Sequence, residues 1–453
     1  MADFAFSRRG LPAALVRVRS DSLTRNSLFL MATAIVTALL GYVFWAVAAH
    51  LFSKQAIGIG SAVISLSSTV ALVTYLGSSA TLIERLPRNE HSSVWAAELF
   101  RICFFTAAAT GVAAIVMVPV LMTSRHFELY FRSALPIAIV ISGAVVWTVL
   151  NLLGSAFVAA RRAGRLLSIQ SVVSVAKVAL VVPFATLGLG ATGLVASWIA
   201  SAAFGAVIGF LWLVPGMGLA RRARNAVHRG QARRRSLERG LTARHRRPAG
   251  PTVRAARRLA GQHLTGIGGA ATPLLLPSLV VIRLGATLNA YFYITWMLGG
   301  IFFMVSPAVS NAVFAEGTRE GADLSALILK ALKISTAMLI PAMLGMIVLG
   351  RPILQLFGPE YSRAGYWLLV LLALSAIPDA MSNIAVAALR VTFRLGYSAL
   401  LNIGILMITL VAAWALMPRL GILGVGLAWL TAQTAGALAS LPVFSQIAER
   451  SAM

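Results

Sequence analysis

The chain has 453 residues, 59% of them hydrophobic and only 11% charged, with a mean hydropathy of +0.85. Soluble domains are about a quarter charged, so this composition excludes a water-soluble globular protein and describes one that crosses a membrane many times. The net charge of +26 does not imply nucleic acid, because the basic residues lie on helix ends and in one central block.

The first 26 residues read as a basic N-terminal tail. Phe4 to Arg19 mixes Phe and Leu with Arg8, Arg9, Arg17 and Arg19, which suits either an interfacial amphipathic helix on anionic lipid or a disordered tail. A span needs about 20 apolar residues. By that measure spans one to six fall at roughly 27–50, 57–82, 95–122, 134–158, 168–188 and 191–215. The first is longer than the apolar core of a signal peptide and reads as a retained span. Spans seven to twelve fall at roughly 264–283, 288–314, 326–349, 366–390, 396–417 and 421–447.

Between the two sets lies an arginine-rich block. Residues 219–258 hold 14 arginines against one acid, Glu238. Such a block cannot enter hydrocarbon and is held on the cytoplasmic side. It reads as a solvated linker or as a docking site for anionic phospholipid or an acidic partner. With the N-terminus inside, 31 Lys and Arg fall on cytoplasmic segments and 7 on the outer ends, so both termini are expected in the cytoplasm. The expected organisation is therefore a tail over 1–26, a six-helix bundle over 27–218, a linker over 219–262, a second bundle over 263–447 and a tail over 448–453.

The two bundles repeat. Gly190, Gly193 and Trp198 at the turn into span six match Gly421, Gly424 and Trp429 at the turn into span twelve, at an offset of 231. Glu84 at the inner end of span two matches Glu316 in span eight, and Arg161 and Arg162 match the Arg390 region. Six spans per copy is an even number, so both copies enter from the same face as parallel repeats, with a substrate site expected where they meet. Gly188, Gly190 and Gly193 formally fit GxGxxG, but no βαβ context surrounds them and a nucleotide site is rejected. Gly205 and Gly209 form GxxxG in span six, read as a close helix contact rather than a dimer motif.

Span two opens with AIGIG (56–60), runs through YLG (75–77) and closes with LIERLP (82–87); AGY (364–366) enters span ten after LFGPEY (356–361). These passages, in a six-plus-six repeat, resemble the polysaccharide-transporter branch of the multidrug/oligosaccharidyl-lipid/polysaccharide (MOP) flippase superfamily. The long basic linker departs from that pattern. The resemblance implies an all-α integral membrane fold of twelve helices around a central cavity, in a bacterial inner membrane. It also implies a polyprenyl-(di)phosphate-linked oligosaccharide as substrate, with a glycan polymerase or glycosyltransferases as partners and no cofactor.

Charged and polar residues within spans are functional candidates. Lys177 in span five shares a helical face with Gln170 and Ser174. An interior cation suits a phosphate or diphosphate headgroup, or pairs with an acid or carbonyls for packing. Asp379 follows Pro378 in span ten, where a kink is expected, with Ser375, Ser382 and Asn383 one turn away. It is a candidate for proton coupling or a partner for Lys177. Arg283, at the outer end of span seven, either meets the headgroup or snorkels to the interface. Ser61, Ser65, Ser68 and Tyr75 form a stripe on span two, Asn26, Thr33 and Thr37 on span one, and Trp147, Asn151 and Ser155 on span four. Such faces suit sugar hydroxyls, or interhelical packing. Glu84, Arg85, Glu316 and Arg319, at equivalent inner ends, form either a cytoplasmic gate of ion pairs or plain headgroup-level helix ends.

A multidrug cation antiporter of the same fold would need more acids in the spans than Asp379 supplies. A membrane glycosyltransferase or polymerase would need outer-loop carboxylates or metal ligands beyond Glu128 and Glu360. His126 and His263 are isolated, and no metal site is expected.

Overall fold

The computed structural model describes residues 22–85, 94–160, 162–213 and 253–452, all of whose regular structure is helical. In chain order the first half comprises α1 (Ser22–Leu51), α2 (Lys54–Arg85), α3 (Val94–Met122), the short α4 (Arg125–Tyr130), α5 (Ala134–Ala159), α6 (Ala163–Thr186) and α7 (Gly190–Leu213). The second half comprises α8 (Val253–Leu284), α9 (Ala286–Gly299), α10 (Phe302–Gly317), α11 (Leu324–Gln355), α12 (Pro359–Val391), α13 (Leu395–Leu420) and α14 (Ile422–Ala452). Among the described residues eleven helices are long and apolar enough to cross a bilayer, and α9 with α10 makes the twelfth span. Strict alternation then puts both ends of the chain on one face, here the termini face; the opposite face is the far face.

The helices depart from the expected spans where composition was a poor guide. Span eight is two helices bent by 41° at Gly299 and Gly300, with Pro307 one turn into α10. Glycine and proline are the usual causes of such breaks. Span ten, where a kink is expected at Pro378, is a single helix, α12, with Pro378 inside it. The backbone of α8 is already helical at Val253, inside the segment expected to be linker.

The repeat is visible in backbone geometry. Gly190 and Gly421 both have left-handed φ values, 53° and 57°, at the start of α7 and α14. An L-residue there pays roughly 1–2 kcal/mol. A Cβ on Gly193 would sit 2.8 Å from the Phe184 carbonyl oxygen, and one on Gly424 would sit 2.8 Å from the Leu416 carbonyl carbon. Each helix hairpin therefore closes on a glycine, and Trp198 and Trp429 are buried at matching positions.

Each half has its own interior. In the first, Leu82, Leu99, Cys103, Leu150 and Phe157 form a cluster with α6 and α7 residues, among them Val173 and Ala206. Gly205 and Gly209 lie against Val173 and Leu153, so the GxxxG serves packing within the half.

Candidate functional site

The halves meet toward the far face. Gly58 of α2 touches the first turn of α9, and a Cβ there would overlap the Ala286 carbonyl oxygen. The Asn289 amide donates to the Gly58 carbonyl at 2.7 Å and to Ser61 Oγ at 3.1 Å. Ser278 donates to the Ala62 carbonyl at 3.4 Å, and Tyr42 to the Met297 carbonyl at 3.4 Å. Trp45 packs on Tyr293 with ring centroids 4.7 Å apart. At the rim the Lys54 ammonium pairs with the Glu360 carboxylate, which also accepts from the Tyr291 hydroxyl at 2.7 Å.

These contacts fall on residues 42–62 of the first half, and the halves meet again nearer the termini face, where a Cβ on Gly266 of α8 would lie 3.8 Å from the Leu76 side chain of α2. Helix α9 packs along α2, whereas α10 turns away onto α11 and α12. Toward the termini face Leu30, Met31, Ile35 and Leu39 of α1 are exposed, as is Met304 of α10. The far-face ends of the two halves are held together by the buried Asn289 amide and the Lys54–Glu360 rim pair.

Lys177 lies in the middle third of α6, its ammonium 5.7 Å from the centre of the buried Phe44 ring of α1. Exposed Val175 and Val182 mark the outer face of α6, and helical geometry turns Lys177, Gln170 and Ser174 away from it. Among the described residues no carboxylate pairs with Lys177. A cation under an aromatic ring can hold a positive charge in this setting while its N–H donors stay available.

Asp379 is buried in the other half, on α12. Its Oδ1 accepts from Asn383 Nδ2 at 3.2 Å, and Ser306 of α10 lies beside it. Asp379 Oδ2 and Ser306 Oγ are buried within reach of each other, with no further hydrogen-bond partner. In this structure Lys177 and Asp379 do not pair: the first lies against the Phe44 ring and the second accepts from Asn383. The first half has a neutral counterpart. Thr74 and Thr148, offset from Ser306 and Asp379 by 232 and 231, are joined through Thr110 at 2.7 and 3.1 Å. A buried chain of hydroxyls thus occupies the site that holds a carboxyl in the second half.

The remaining candidates are dispersed. Arg283 is on the flank of the second half, its guanidinium 4.7 Å from the Trp414 ring centre. Ser61 belongs to the seam, Ser65 is buried, and Ser68 donates to its own helix at Ile64. Tyr75 packs against the interior of the first half. Thr33 and Thr37 donate to carbonyls one turn back, as do Asn151 and Ser155, while Trp147 packs on Trp198 with ring centroids 4.7 Å apart. Glu316 pairs with Arg319 at 2.7 Å on the same helix end rather than across the halves. The side chains of Asn26, Glu84 and Arg85 lie outside those described, as does the arginine-rich segment through residue 252. Among the described residues no cluster of three or more His, Cys, Asp or Glu could hold a metal ion.

Sequence reasoning missed the far-face seam. Lys54 and Glu360 were both legible as outer helix ends, but their pairing spans 306 residues. Asn289 stood in an apolar run with no polar neighbour on its face.

Two six-span helical bundles with polar groups inside each make this a multi-pass membrane protein. Its fold is that of the MOP superfamily. An inward-facing structure of a multidrug resistance MATE family transporter of that superfamily aligns at a TM-score of 0.67 and 16% identity, covering 94% of this chain and 98% of that one. An outward-facing structure of a multidrug resistance MATE family transporter aligns at 0.58 and 15%, covering 95% of each. A MOP superfamily transporter from Pyrococcus furiosus, described as having a binding pocket of reversed polarity, also aligns at 0.58 and 15%, covering 95% of each chain. In sequence, the chain is 24% identical over 167 residues to the probable flippase AglR of Haloferax volcanii. That match spans 34% of this chain and only a third, 33%, of the relative. No family model matches the chain.

Proposed function

We propose that this transporter moves a polyprenyl-(di)phosphate-linked oligosaccharide from the inner to the outer leaflet of a bacterial cell membrane, for cell-surface polysaccharide synthesis. The observation that carries the reading is Lys177, an inward-turned cation without a carboxylate partner among the described residues. A phosphate headgroup supplies the missing negative charge, and in low dielectric that attraction is strong. The partial likeness to a probable flippase supports the same reading. The sidedness follows from the arginine distribution: the termini face is cytoplasmic and the far face is external. The headgroup enters between the bundles from the cytoplasm, while the prenyl tail stays in lipid. Release requires the far-face seam to part as the termini side closes.

Asp379 favours a second reading, a cation antiporter of the same fold, because it is a buried carboxyl with no cation paired to it among the described residues. Reconstituted protein separates the two. Flipping of a fluorescent prenyl-diphosphate-linked sugar is expected for the wild type, to be lost in Lys177→Ala and partly kept in Lys177→Arg. Wild-type flipping by Lys177→Ala removes the headgroup role. Efflux of organic cations without any flipping selects the antiporter.

A further inference from the structure

A groove of about 290 Å³ runs along the flank of the second half between α13 and α14. Leu400, Gly404 and Ile408 line one wall, and Ala435 and Ala439 the other. The exposed side of α13 carries Tyr397, Leu400, Met407, Ile408, Val411 and Trp414. A surface so uniformly apolar faces hydrocarbon rather than an aqueous cleft.

At its termini-face end the groove runs into a second cavity of about 180 Å³, the two sharing Leu389 and Val443. This one is mixed, with Thr392, Arg394 and Gln446 set among apolar residues such as Leu324 and Ile447. The Arg394 guanidinium donates to Gln446 Oε1 at 2.8 Å, and no carboxylate pairs with it among the described residues. The neighbouring acid, Asp323, is occupied in accepting the Ala326 N–H at 3.0 Å as the cap of α11. Arg394 also sits at the N-terminus of α13, where the helix dipole favours an anion. The preceding Phe393 is the described non-glycine residue with positive φ, 57°, and its ring is 70% exposed. This turn sets the Phe393 ring outward and Arg394 into the cavity.

We propose that this groove and cavity form a site for one anionic phospholipid, with an acyl chain between α13 and α14 and the phosphate on Arg394. The dimensions suit that occupant. From Arg394 to Ile408 the helix rises about 20 Å, enough to cross the roughly 15 Å hydrocarbon depth of one leaflet. The inference is independent of the substrate reading, because Lys177 lies in the other half.

Full-length protein would be analysed by native mass spectrometry from micelles doped equally with phosphatidylglycerol and phosphatidylcholine. The arginines of 221–258 also attract anionic lipid, so the signal is one tightly held lipid, read against wild type. Arg394→Gln is expected to lower the preference of that lipid for phosphatidylglycerol about fivefold, the usual worth of one surface cation, and Arg394→Lys to preserve it. Gly404→Phe fills the groove, and its new Cβ has open space, nothing lying within 4 Å; it is expected to release the lipid whatever its headgroup. Wild-type lipid retention and preference in Arg394→Gln would overturn the proposal, as would full retention in folded Gly404→Phe. Replacement of the lipid by added polyprenyl phosphate in wild type but not in Gly404→Phe would overturn it too, assigning the groove to a prenyl chain. If Arg394→Gln fails to fold, Gly404→Phe decides alone.

Discussion

Asn289 of the second half gives its amide proton to the carbonyl of Gly58 in the first, at 2.7 Å. Both groups are buried, so water cannot replace the bond without opening the seam. Removing one partner of a buried hydrogen bond costs about 1–3 kcal/mol. Asn289→Leu should therefore shift the population away from the joined far face. Ala62, fully buried beside Ser278, supplies the reporter. With Cys103 replaced by serine, a cysteine at position 62 should resist maleimide in the parent and react at least several-fold faster with Asn289→Leu. Equal rates would mean that the amide does not hold the halves together.

The rim pair makes a separate, reversible prediction. Lys54 and Glu360 bridge the halves at the far-face end of α2 and α12. Exposed pairs contribute little stability and weaken with salt, which suits a contact that must form and break. A Lys54→Cys/Glu360→Cys protein lacking Cys103 should be bridged by a bis-methanethiosulfonate reagent, whose spacer replaces the length of the Lys and Glu side chains and whose disulfides a reductant cleaves. Transport should stop when the bridge forms and recover with reductant. Undiminished transport by the crosslinked protein would show that the rim need not part.

Span count, the duplication and the glycine hairpins were readable because each is a local pattern: an apolar run, an offset, a residue suited to left-handed φ. The seam was not, because its partners come from sequences more than two hundred residues apart and look ordinary singly. AIGIG illustrates the difference. It marked a resemblance in sequence, and the structure supplies the reason for its middle glycine, which is the point where α2 meets the α9 backbone. The hydroxyl stripes misled in the opposite direction. Serine and threonine in helices commonly donate to the carbonyl one turn back, as Thr33, Thr37 and Ser68 do, so their spacing alone did not identify a surface offered to sugar.

Gly205 tests the packing of the first half. A Cβ there would press into the Val173 side chain, with Leu150 at 3.5 Å. Gly205→Leu overfills this contact between α6 and α7, which usually costs about 1–3 kcal/mol. A lower melting temperature is expected in detergent, with an unchanged oligomeric state. A normal melting temperature accompanied by a change in oligomeric state would instead place this GxxxG between chains.

Asp379 tests whether the asymmetry between the repeats has a use. In the first half Thr74, Thr110 and Thr148 satisfy one another. In the second, Ser306 and one oxygen of the buried Asp379 carboxyl have only each other. A buried carboxylate without a paired cation is costly, so a cation or proton that completes it would link occupancy to how α10 and α12 pack. Asp379→Asn keeps the shape and removes the titrating charge. In proteoliposomes under an imposed proton or sodium gradient, the variant should retain equilibrative movement of substrate but lose the acceleration that the gradient gives. If Asp379→Asn responds to the gradient as the wild type does, the carboxyl serves the packing of the second half and coupling resides elsewhere.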